Sequence, residues 1–134
     1  DNLGEALVRT AEFIINEDLS NRYEVFSIDY SMIKNMDTVR SSLEEAVDNF
    51  VKKNYKVIVF VDIFGGSPSN VAFTLSKQEN VDIISGVNLP MVLYAFDKVD
   101  SSIDLMDMVQ GAVESAKNNI NSAKKLLVVK EKND

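Results

Sequence analysis

The sequence predicts an α/β fold: a doubly wound, mainly parallel sheet with helices on both faces. Apolar residues recur at helical spacing in several segments, and short strand-like runs alternate with them. Such alternation implies right-handed crossovers and a parallel sheet. One of the runs, Val57-Ile58-Val59-Phe60-Val61, is continuously apolar, as expected of a strand buried on both faces of such a sheet.

Leu3, Leu7, Ala11 and Ile14 define the first helix, with Asp1 or Asn2 placed to cap it. Residues 23–29 then alternate as a strand with one strongly apolar face. Val39, Leu43, Val47, Phe50 and Val51 form a second amphipathic helix, with Asp37 as its expected cap. The apolar strand stops abruptly at Asp62. Ser67-Pro68 reads as a helix start, a hydroxyl cap followed by proline at the first helical position, and Val71, Ala72 and Leu75 supply the inner face.

Val81-Asp82-Ile83-Ile84 is a short strand, and Asn88 is placed to cap a helix running from Leu89 to about Phe96. A longer helix is expected from Ser101, with Asp104 at capping-box spacing and a stripe of Leu105, Val109, Ala112 or Val113, Ala116 and Ile120. Leu126-Leu127-Val128-Val129, flanked by lysines, reads as a last strand before a polar tail. A doubly wound sheet normally begins with a strand. This chain begins with a helix, so a first strand is expected upstream of Asp1.

The 134 residues suit one domain spanning 1–134, undivided by repeats, low-complexity tracts or long linkers. Fourteen basic against 21 acidic residues give a net charge of −7, and no basic stripe is present to neutralise nucleic-acid phosphates. The sequence has no cysteine and no histidine, which removes thiol chemistry and the commonest catalytic base and metal ligand. No metal or cofactor is expected. No apolar run approaches the ~20 residues that cross a bilayer. The expected location is the cytoplasm, without direct membrane insertion.

The strongest chemical constellation is Asp62-Ile63-Phe64-Gly65-Gly66-Ser67-Pro68-Ser69-Asn70. It joins the carboxyl end of the apolar strand to a helix start, the rim where ligands bind in open α/β sheets. The glycines leave backbone N–H groups unobstructed, and a helix start adds free donors and a positive dipole end. Ser67 either caps the helix or offers its hydroxyl to a phosphate oxygen. A tight strand-to-helix connection accounts equally well for the glycines, and a turn bonded to its own backbone for Asp62. A carboxylate there is also placed to orient an imidazole. Ser85-Gly86-Val87-Asn88-Leu89-Pro90-Met91 should open on the same rim. Asn88 offers a donor and an acceptor, whereas Leu89 and Met91 are expected to pack inward. Phe64 either packs inward or forms a partner-facing knob.

Taken together, Asp62, Gly65-Gly66-Ser67-Pro68 and Gly86-Val87-Asn88-Leu89-Pro90-Met91 resemble the signature of the mannose-family IIA component of the bacterial sugar phosphotransferase system (PTS). Asn2-Leu3-Gly4-Glu5-Ala6-Leu7 with Thr10-Ala11-Glu12 resembles that family's first helix. The similarity covers nearly the whole chain. It implies a homodimer in which residues 126–129 form an antiparallel strand exchanged between subunits. It also implies a phosphoryl carrier, taking phosphate from the phosphocarrier protein HPr on a histidine and passing it to a IIB component during sugar uptake. Asp62 would match the aspartate that orients the histidine. Ser67 would match the serine that contacts the phosphate, with the N–H groups of Gly65, Gly66 and Ser67 around it. Phe64 and Asn88 would contact partner or pocket. Aligning Thr10-Ala11-Glu12 places the acceptor histidine immediately before Asp1, so neither it nor its strand is among these residues. Asp1 stands where glycine is frequent, and Ser69 where an aromatic is frequent. A regulatory or binding homologue without the acceptor is the second reading. A receiver-like domain phosphorylated on Asp62 is the third, and the Gly-Gly-Ser-Pro turn argues against it.

Overall fold

Val57–Val61 (β1) and Val81–Ser85 (β2) pair in parallel, in a register running from Val57 opposite Val81 to Val61 opposite Ser85. Parallel neighbours need a crossover, and Ser67–Leu75 (α3) supplies it. The other elements of the computed structural model, which describes residues 2–133, are five helices and one short turn of helix. The helices are Leu3–Ile15 (α1), Met36–Lys52 (α2), Leu89–Asp97 (α4), Leu105–Asn118 (α5) and Ala123–Asn133 (α6). A 3-10 turn over Met32–Asn35 leads into α2.

Strand alternation sends successive β1 side chains to opposite faces. Val57 and Val59 pack with Val81 against Leu43, Val47 and Val51 of α2 and Leu75 of α3. Ile58 and Phe60 pack with Ile84 against Met91 of α4 and Ala112 and Ala116 of α5. The pair is therefore covered by helices on both faces. A third cluster joins α1 to α4 through Leu7, Ala11, Val92 and Phe96.

Several expectations need correction. Among the described residues the sheet has two strands, a βαβ unit covered by helices on both faces, and this pair alone does not make up the expected doubly wound sheet. Residues 23–29 carry no ladder. Their apolar side chains find burial on helices instead: Tyr23 stacks on Phe96 with centroids 5.6 Å apart, and Val25 lies against Gly4. With a neighbour on one side only, all five β1 residues stay half-buried, whereas Val81, Ile83 and Ile84 of β2 are buried.

Residues 126–129, expected as an antiparallel strand, lie within α6, and their four side chains are about half exposed or more. A strand requires a ladder partner, which the single chain does not offer here, whereas a helix satisfies its own backbone.

Helix starts shift by small steps. α2 begins after Asn35, placing Asp37 inside its first turn, where a carboxylate still favours the dipole. α5 begins at Leu105 with Asp104 as the cap, accepting from the Asp107 N–H at 2.9 Å. Ser101 instead donates its hydroxyl to the Lys98 carbonyl at 2.7 Å, closing the end of α4. Ile120 lies past α5 and is exposed. Asn2 occupies the N-cap position of α1, and Asp1 lies outside the described residues.

Candidate functional site

The parallel register brings the carboxyl ends of both strands to one rim. The loops beyond them are joined by backbone: the Gly86 N–H donates to the Asp62 carbonyl at 3.1 Å and the Val87 N–H to the Val61 carbonyl at 3.2 Å. The two sequence constellations therefore lie side by side on one rim. Gly65 and Gly86 have φ of +103° and +75°, in the left-handed region that side chains disfavour. A Cβ added at either would meet open space, so backbone conformation alone calls for glycine at both.

Asp62 is exposed, and its Oδ1 accepts from the Ile63 N–H at 2.8 Å. This is the local turn bond anticipated as the plain alternative for this residue. Ile63 and Phe64 face outward. Phe64 meets Phe73 of α3 edge-on, with centroids 6.1 Å apart and ring planes at 82°, and both rings remain exposed. The aromatic thus forms an external knob.

At the start of α3 the N-cap is Gly66, not Ser67. Ser67 is the first helical residue and Pro68 follows it, so the helix starts one residue earlier than the hydroxyl-cap reading placed it. Ser67 is exposed, and its hydroxyl caps nothing. The first intrahelical bond runs from the Asn70 N–H to the Gly66 carbonyl at 3.1 Å. The Ser67 and Ser69 N–H groups precede it and have no helical carbonyl to reach. An N–H pair and a free hydroxyl at a helix start can bind an anion.

Asn88 caps α4 as expected, accepting from the Met91 N–H at 3.1 Å. Its amide donates to the Ala116 carbonyl at 3.5 Å, so it ties the rim to α5. Met91 is buried and Leu89 half-buried, in line with inward packing. Ser69 went unnoticed in the sequence as a working residue. Its buried hydroxyl accepts from the Gly65 N–H at 3.1 Å and donates to the Gly66 carbonyl at 2.8 Å. The available signal was a hydroxyl three residues past the cap, the spacing from which capping-box side chains reach back.

Elsewhere in the chain, the Asp29 carboxylate accepts from the Ser31 hydroxyl at 2.5 Å and from the Ser31 and Met32 N–H groups at 2.8 and 3.0 Å. These bonds, led by the hydroxyl, hold its pKa below the ordinary carboxylate value. Among the described residues no group of three or more acidic side chains gathers to hold a metal ion. No helix there is long and apolar enough to cross a membrane.

A covered parallel βαβ unit carrying a glycine-rich turn and an asparagine-capped loop on one rim is an α/β arrangement of the kind that places ligands at the carboxyl ends of its strands. The chain belongs to the EIIA-man family, described as the PTS system fructose IIA component, whose model matches residues 1–113. It is 28% identical over 121 residues to the PTS system mannose-specific EIIAB component of Escherichia coli K12, an alignment covering 90% of this chain and 36% of that protein. It thus spans about a third of the length of such relatives. It is also 33% identical over 57 residues to the PTS system fructose-specific EIIA component of Bacillus subtilis, covering 42% of this chain and 38% of that one.

The fold is similar to the crystal structure of a PTS IIA protein associated with the fucose utilization operon of Streptococcus pneumoniae. The TM-score is 0.73 and the identity 27%, over 94% of this chain and 89% of that one. An EIIA component from Streptococcus agalactiae shares the fold at a TM-score of 0.69 and 21% identity, covering 92% of each chain.

Proposed function

We propose that this chain is the IIA phosphoryl carrier of a cytoplasmic sugar phosphotransferase system, receiving phosphate from HPr and delivering it to a IIB component. The carrying observation is the family match over residues 1–113, together with the backbone bonds that join the Asp62 and Gly86 loops on one rim. In this reading the acceptor is a histidine immediately before Asp1. The Asp62 carboxylate accepts the imidazole N–H and fixes its tautomer, so that the opposite ring nitrogen attacks phosphorus. The bond to the donor breaks as the bond to that nitrogen forms. The Ser67 hydroxyl and the N–H groups of Gly66 and Ser67 surround the transferring group, whereas the Gly65 N–H is taken up by the Ser69 hydroxyl. Fixed donors of this kind are the main physical means of phosphoryl-transfer catalysis.

The proposed homodimer would bury the four apolar side chains of residues 126–129, which the single chain leaves exposed. An exchanged strand would require α6 to unwind on association. The catalytic proposal is tested by incubating the full gene product with phosphoenolpyruvate, enzyme I and HPr. The expected product gains one acid-labile phosphoryl group on the histidine before Asp1. A gene product with another residue there, taking up no phosphoryl group, would be the regulatory or binding homologue. Sedimentation of the same protein across a concentration range tests the dimer.

A further inference from the structure

We propose that Ser69 is a positioning residue for phosphoryl transfer: its hydroxyl latches the Gly65-Gly66 turn and turns the Ser67 N–H, not the Gly65 N–H, toward the anion. The inference rests on the phosphoryl-carrier reading of this rim. Ser69 is 4% exposed and is the buried polar side chain found among the described residues. A buried hydroxyl is costly unless it is hydrogen-bonded, and this one is satisfied on both sides within the turn.

The two bonds act on the peptide groups that bracket Gly65 and Gly66. The Gly65 N–H points inward at the Ser69 oxygen, 3.1 Å away, and is withdrawn from any ligand. On the other side, the Ser69 hydroxyl and the Asn70 N–H both draw the Gly66 carbonyl inward, at 2.8 and 3.1 Å. A trans peptide is planar, so its C=O and N–H point in opposite directions. Holding the Gly66 carbonyl inward therefore aims the Ser67 N–H outward, beside the Ser67 hydroxyl. Consecutive glycines have wide conformational freedom, and Gly65 sits at φ +103°. Without the latch, the Gly66 carbonyl would keep only the Asn70 N–H and the Gly65 N–H would lose its acceptor, leaving the turn and its donors less well ordered. Donors already in place need no reorganisation. Pro68 contributes no N–H, so at the very start of the helix the Ser67 N–H is the donor whose direction this peptide plane sets.

The test uses the full gene product and two measurements. Amide exchange by NMR should show Gly65 protected and Ser67 unprotected in the unphosphorylated protein, with the Ser67 amide shifting more than that of Gly65 on phosphorylation. A freely exchanging Gly65 amide would overturn the latch whether or not any variant folds. In transfer from phosphorylated HPr, Ser69→Ala should lower kcat on the order of tenfold with little change in KM, because the donors are displaced but the docking surface is not. Ser69→Thr, which keeps the hydroxyl, should recover most of the loss. Equal kcat for wild type and Ser69→Ala would overturn the positioning role. An inert wild type would instead mark failure of the carrier reading.

Discussion

Asn88, Ser67 and Ser69 show how far single residues could be read. Asn88 was legible as a cap because asparagine before Leu-Pro needs only local geometry to reach the Met91 N–H. Its replacement by alanine should cost about 1 kcal/mol in urea denaturation, within the ~0.5–2 kcal/mol range of lost caps. The role of Ser69 was not legible, because it depends on a left-handed Gly65 that folds the chain back over the hydroxyl. Asp62→Asn keeps the shape but would offer an imidazole the wrong partner. It should slow phosphorylation of the full gene product by about 10²-fold or more, read as the rate of phosphoprotein formation. Asp29 supplies a pH dependence. Its pKa is lowered on folding, so its contribution is complete above the unfolded value near ~3.9 and is lost as pH falls through the folded value. The Met32 amide should therefore exchange faster as pH falls through that lowered folded value, after correction for intrinsic exchange. Unchanged protection there would count against the turn bond.

Among elements, α3, α4 and β2 were legible because each combines a clear apolar pattern with a proline, asparagine or glycine signal at its start or end, and β1 because its continuous apolar run stops abruptly at Asp62. Residues 23–29 and 126–129 were not. Alternation marks two faces but does not supply the neighbour that makes a strand. A short apolar run such as Leu126-Leu127-Val128-Val129 does not distinguish helix from strand by period. The packing of α5 on α4 carries another expectation. A methyl group on Gly111 would overlap the Tyr94 hydroxyl and ring. Alanine improves helix propensity by ~1 kcal/mol, but overpacking costs ~1–3 kcal/mol, so Gly111→Ala should lower Tm. Adding Tyr94→Phe removes the hydroxyl and should restore part of the loss. Additive effects of the two substitutions would show that the close approach is not responsible.

At the scale of the molecule, the rim emerged from the sequence because parallel strands necessarily end together, and the order of loops followed from that. The extent of the sheet did not, since it depends on what lies beside β1. That strand, the most apolar run in the chain, has β2 on one side and no ladder on the other among the described residues. Its outer peptide groups form a template on which another extended chain can add. The 134-residue chain by itself is accordingly expected to form thioflavin-positive fibres on prolonged agitation, with Val57–Val61 in their protease-resistant core. Added salt should shorten the lag by screening the net charge of −7 that keeps molecules apart.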